Sequence, residues 1–186
     1  MKQRQRLIIG AAIGFLLVAG LSRVEAKEIP YKGTFAGTFL SSRIDRNDDG
    51  VPAGWETGAL TGTLGKRVYQ GVSEAVPTGP TAACPGGVFI IDTQNGKGGG
   101  TYTETFPNGD QLYGRVLTRT FCSNGVGGFT GSSTLSYVGG TGKFAGASGN
   151  VENSFAGFYQ AFDANAVPRQ GFGPFSGEFT GTLILP

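Results

Sequence analysis

The chain has no histidine, and only two cysteines, one methionine and one tryptophan in 186 residues. Without histidine there is no Ser-His-Asp or Cys-His catalysis and no imidazole metal site. Two cysteines cannot by themselves complete a structural zinc site. Charge is also sparse, with 15 Lys and Arg against 13 Asp and Glu. Four of those basic residues and one of the acidic ones lie in the first 26 positions, so the remaining chain carries 11 and 12, a net of −1. The pI of 8.6 therefore reflects the N-terminus. No basic run remains beyond it, which removes the electrostatic basis for nucleic-acid binding. Long apolar runs are also missing after residue 26, and no segment shows an apolar stripe of helical period.

The first 26 residues differ in kind from the rest. Lys2, Arg4 and Arg6 precede an uncharged apolar run from Leu7 to Leu21, and Val24, Glu25 and Ala26 follow. This is the layout of a secretory signal peptide with cleavage after Ala26. An uncleaved anchor is the alternative, although the run of 15 residues is shorter than the roughly 20 that span a bilayer as a helix. Residues 27–186 are then expected as one exported domain, secreted or periplasmic, with no membrane attachment after cleavage. In that compartment Cys84 and Cys122 are expected to form one disulfide.

Glycine is abundant, at 34 residues, but has no collagen period and is interspersed with 14 Phe and 6 Tyr. Tyr31–Phe39 (YKGTFAGTF) and Phe175–Leu185 (FSGEFTGTLIL) alternate like strands, which places Phe175, Phe179, Leu183 and Leu185 on one face. Further strand-like runs cover Gly58–Glu74, Gly86–Asp92, Gly99–Phe106, Gln111–Cys122, Gly127–Val138 and Asn150–Phe162. Pro107, Asn108, Gly109 and Asp110 form a turn joining two of them into a hairpin. The pattern G-x-[FL]-x-G-T-[FL] recurs at Gly33–Phe39, Gly58–Leu64 and Gly177–Leu183. Large and small residues alternating on one face can fill the taper of a small barrel. The shared pattern of the first and last strands fits their pairing to close it. The expected fold is all-β: a single closed antiparallel barrel of about eight strands.

Residues 45–56 (DRNDDGVPAGWE) satisfy the calcium-loop pattern D-x-[DN]-x-[DN]-G-x5-E. Asp45, Asn47 and Asp49 would offer side-chain oxygens, Val51 its carbonyl and Glu56 a bidentate carboxylate, while Gly50 permits the turn. A polar turn between strands is the equal alternative. No organic cofactor is indicated. Glu74, Glu104, Asp110, Glu152 and Glu178 are available as acids or bases, but no spacing singles out a pair. In residues 137–149 (YVGGTGKFAGASG), Gly140, Gly142 and Ala145 match a loose dinucleotide fingerprint. That fingerprint needs a following helix, which Gly146 and Gly149 disfavour.

The same segment, through Gly139, Gly140, Thr141, Gly142, Phe144, Gly146, Ala147 and Gly149, resembles the G-G-T-G-x-F-x-G-A-x-G signature of the allene oxide cyclase and dirigent barrel superfamily. Phe106–Tyr113 (FPNGDQLY), with Cys122 after it, is similar to secreted bacterial members, as is the Asp45–Gly50 loop leading to Leu64, Gly65 and Lys66. The resemblance implies an eight-stranded antiparallel barrel around an apolar cavity. Plant relatives cyclise an unsaturated fatty-acid epoxide or steer radical coupling of phenols, and none of their catalytic residues can be placed on this chain. Three function classes stay open: a barrel holding a small apolar ligand, a cofactor-free isomerase or coupling guide of the family type, and a surface structural or interaction protein. A homo-oligomer is compatible with each.

Overall fold

The computed structural model describes residues 25–41, 53–163 and 170–186. Among them are eleven strands: β1 Lys27–Ser41, β2 Ala53–Gly62, β3 Gly65–Glu74, β4 Val76–Gly79, β5 Gly87–Asp92, β6 Gly99–Thr105, β7 Gln111–Ser123, β8 Gly128–Gly140, β9 Ser148–Phe158, β10 Ala161–Asp163 and β11 Gln170–Leu185. Eight close a ring in the order β1-β2-β3-β6-β7-β8-β9-β11, every pairing being antiparallel. The first and last strands seal it, in register from Lys27 opposite Leu185 to Leu40 opposite Phe172. Closure leaves the ring without a free edge.

The inner face explains why the sequence tolerates so much glycine. Along the seam, Tyr31 faces Gly181, Phe35 faces Gly177 and Phe39 faces Gly173, while Gly33 and Gly37 face Phe179 and Phe175. The next interface repeats the device, with Gly157 opposite Phe175 and Phe155 opposite Gly177. Rings thus lie over glycines of neighbouring strands. A Cβ at Gly177 would sit 2.6 Å from Phe35 Cζ, and one at Gly114 would sit 2.1 Å from Tyr102 Cζ. Each ring needs the volume its neighbour gives up, so large and small must alternate across strands as well as along them.

One end of the ring is plugged. The turn between β8 and β9 carries Phe144, fully buried, which packs on Phe106 with ring centroids 4.4 Å apart. Leu112 and Leu183 are also fully buried. The segment 139–149 is this plug. At Gly140 a Cβ would meet Gln111 O at 2.2 Å, and Gly142 takes a φ of +54° that L side chains rarely adopt. Its glycines therefore serve chain geometry rather than phosphate binding.

Among the described residues the other end is open, and it carries two outer strands. β5 pairs with residues 118–123 of β7, above the stretch where β6 pairs with residues 111–115. β4 pairs with β5 and raises one wall of the mouth. The Cys84–Cys122 disulfide anchors the loop between β4 and β5 to β7, as expected from the sequence.

Two expected runs divide. Gly58–Glu74 is the hairpin β2–β3, turning at Thr63 and Leu64, where Gly65 has a φ of +81°. Asn150–Phe162 is β9 followed by β10, interrupted at Tyr159 and Gln160. β4 was not legible in the sequence, because Pro77 at its centre argues against a strand. Pro107–Asp110 joins β6 to β7 as expected.

The disulfide closes a span of 38 residues. Replacing both cysteines by serine is expected to lower stability by about 3–4 kcal/mol. The check is a urea denaturation midpoint under non-reducing conditions, compared with the parent chain.

Candidate functional site

Above the plug the inward side chains do not meet, and a cavity of about 540 Å³ opens toward the mouth. That is within the range of small-molecule pockets, about 300–1,000 Å³. Its walls are aromatic. Phe39 contacts Phe129 and Tyr159 edge-on at 5.1 and 5.2 Å, and Phe35 meets Phe175 at 5.9 Å. Edge-to-face packing of this kind fixes the rings and hence the shape of the space.

The floor is polar and buried. On β6, alternation turns Tyr102 and Glu104 inward and Thr101, Thr103 and Thr105 outward. Glu104 is 1% exposed. Its Oε2 accepts hydrogen bonds from Tyr31 Oη and Arg67 Nε, and its Oε1 accepts one from Tyr137 Oη at 2.5 Å. Arg67 also donates to Tyr31 Oη and, at 3.0 Å, to Gly65 O. Its guanidinium lies 5.0 Å from the Tyr31 ring centroid and 5.4 Å from that of Phe179. Burying two ions costs several kcal/mol each, so such a pair persists only when every lone pair and proton is used. Here both carboxylate oxygens are engaged. Burial works against the charge of Arg67, but Glu104, Tyr31 and Tyr137 together offset it and hold its pKa above the ordinary value.

A second polar tier crosses the lumen higher up. Arg119 on β7 pairs with Glu56 on β2, and also donates to Ser73 Oγ at 3.2 Å and Ser133 Oγ at 3.4 Å. Ser133 Oγ in turn donates to Asn153 Oδ1 at 2.8 Å. Tyr69 stands between the tiers with its ring over Gly58. Its hydroxyl is buried without a hydrogen-bond partner. Burial first, and Glu56 second, raise the Tyr69 pKa. Burial first also raises Tyr31, Tyr102 and Tyr137, with Glu104 adding to each, and it lifts Tyr159 to about 12. These phenols are therefore neutral hydrogen-bond groups at neutral pH.

Of Glu74, Glu104, Asp110, Glu152 and Glu178, only Glu104 lines the cavity. Glu152 and Glu178 are exposed outside, Asp110 lies in the β6–β7 turn, and Glu74 is at the end of β3 with a buried, unpartnered Oε1. Asp45, Asn47, Asp49, Gly50 and Val51 lie outside the described residues. Glu56, expected at the end of that loop, is described and is bonded to Arg119. Arg67, Arg119, Tyr31 and Tyr69 carried no sequence signal of their own. Their strand parity could have shown that they face inward, but not which residues they meet.

Comparison with protein-family models, with curated proteins and with solved structures finds no match.

The raised tyrosines make stability depend on alkaline pH. The folded chain keeps phenolic protons that the unfolded chain releases above about pH 10. Their contribution is complete below that pH and is lost as pH rises towards the folded values. Urea midpoints are expected to be level from neutral pH to about pH 9 and to fall steeply above about pH 10. Tyrosinate absorbance should appear together with unfolding, and a full non-cooperative tyrosine titration in the folded state would contradict the burial.

Proposed function

We propose that this barrel is an exported protein that holds one small apolar ligand in its lumen. The observation that carries the proposal is the cavity of about 540 Å³ with aromatic walls, inside a barrel whose lower half is tightly filled. Such space is costly to leave lined with apolar surface and is the usual form of a small-molecule site. A purely surface-acting protein predicts a filled interior, so the cavity counts against that class. The disulfide and the N-terminal segment support the exported location. Native mass spectrometry of protein purified gently from its own host is expected to show an adduct that organic solvent extracts. Apo mass alone, together with no saturable binding of any apolar probe, would count against the proposal.

A second reading, an isomerase of the allene oxide cyclase type, is favoured by one observation. Glu104, an inward carboxylate, lies at the cavity floor with Tyr137 and Tyr102 around it. The sequence resemblance at Gly139–Gly149 supports the same reading. Incubation with an unsaturated fatty-acid epoxide should then give a single cyclised enantiomer, and Glu104→Gln, with its fold checked by circular dichroism, should lower the rate by about tenfold or more. A racemic product at the uncatalysed rate would remove this reading and leave the first.

A further inference from the structure

The outer face of the barrel changes character at the open end. The mouth ends of four adjacent strands carry one row of directly opposed apolar residues: Trp55 on β2, Leu40 on β1, Phe172 on β11 and Ala161 on β10. Strand parity turns this row outward, since the neighbouring Glu56, Phe39 and Gly171 line the cavity. Trp55, Leu40 and Phe172 are 52, 53 and 43% exposed. Phe158, the last residue of β9, and Val126, in the β7–β8 turn, are 52 and 88% exposed and continue the arc. Further from the mouth the same wall is polar. Thr57 and Thr38 are the outward pair next to the row, and Thr61, Thr34, Glu178 and Ser154 stand in one line beyond them.

A sheet with one face in water keeps that face polar. The wall obeys this rule and the rim does not. The rim holds five of the seven large apolar side chains exposed among the described residues, and such clustering marks a contact surface. Chain beyond the two seam strands starts at the far end of the barrel, where Lys27 pairs with Leu185 and Pro186 lies beside Gly146. Residues 42–52 and 164–169 adjoin the rim but lie outside the described residues, and their sequences carry charge of both signs. Nothing is assigned to them.

We infer that the rim is a lipid-docking surface: the barrel rests mouth-down on a bilayer, with Trp55, Leu40, Phe172 and Phe158 in the boundary between headgroups and acyl chains. Two features select lipid over a second copy of the chain. The rim is continuous with the cavity entrance, which Trp55 also lines, so seating it on a bilayer joins the cavity to the phase that dissolves apolar molecules. Three of its five large side chains are Trp or Phe, residue types that favour that boundary. The wall beyond, with Lys32, Glu152 and Glu178 facing outward, is too polar for hydrocarbon, so docking stops at the rim and the barrel does not span. The choice of lipid rests on the ligand-holding reading above. The expectation of no membrane attachment after cleavage rests on linear sequence, in which a surface built from the ends of separate strands leaves no apolar run.

Trp55 is the only tryptophan, so its emission reports on the rim alone. The exported protein is mixed with phosphatidylcholine vesicles and, separately, with vesicles that also contain phosphatidylglycerol. Emission should shift to shorter wavelength with both and be quenched by bromine-labelled acyl chains. Leu40→Ser combined with Phe172→Ser should lower the partition coefficient about tenfold or more, because apolar area is withdrawn from lipid. Phe158→Ser should lower it through a separate strand, and Val68→Ser with Val138→Ser, away from the rim, should leave it unchanged. A cooperative urea transition shows that each variant folds. No shift with either vesicle overturns the inference. Binding to the anionic vesicles alone, abolished by salt and spared by the rim substitutions, places attachment in charged segments and overturns it. A shift that appears without lipid as protein concentration rises, together with a dimer in sedimentation, assigns the rim to a second copy and overturns it. An extractable apolar adduct without vesicle binding sinks docking alone and spares the ligand-holding reading.

Discussion

The interior of this barrel depends on aromatic rings lying over glycines of adjacent strands. On the β1–β11 seam the register alternates ring and glycine without interruption from Tyr31 to Phe39. Because rings and glycines interlock, slipping either strand by two residues would set ring against ring and glycine against glycine. The alternation therefore holds the register that closes the ring. Closure in turn makes the lumen a bounded space. Below, where Phe144, Leu112 and Leu183 converge, it is solid; above, where the walls diverge, it is open.

Placing two ion pairs inside such a structure is expensive, and the cost limits what the cavity can do. Glu104 is satisfied by Arg67, Tyr31 and Tyr137, and Glu56 by Arg119. In each pair every charge has its opposite beside it together with further hydrogen bonds. They tie strands β1, β2, β3, β6, β7 and β8 to one another across the lumen.

Much of the architecture was legible in the sequence. The alternation of Phe and Gly placed the inward face correctly, the resemblance in pattern between the two ends matched their pairing, and the turn at Pro107–Asp110 and the Cys84–Cys122 bridge stand as expected. Sequence and structure part where local propensity is ambiguous. The alternating pattern continues through the β2–β3 turn at Thr63 and Leu64, since Leu64 fits it and only the positive φ of Gly65 marks the reversal. β4 has no local signal because Pro77 argues against a strand, although the pairing with β5 accommodates it through an irregular register.

Parity along a strand decides which way a side chain points, and that is a local property, so the sequence by itself determined an all-β chain with an aromatic and glycine inner face. Which inward groups meet is not local. Glu104 is 37 residues from Arg67, 73 from Tyr31 and 33 from Tyr137, and Arg119 is 63 from Glu56. Those meetings are set by the order and register of eight strands around a closed ring. Only the tertiary structure could separate Glu104 from Glu152 and Glu178, which are equally plausible by sequence but face solvent. The first of these carboxylates lies under a roof of rings with a cation beside it; the others lie on the outer face, in water.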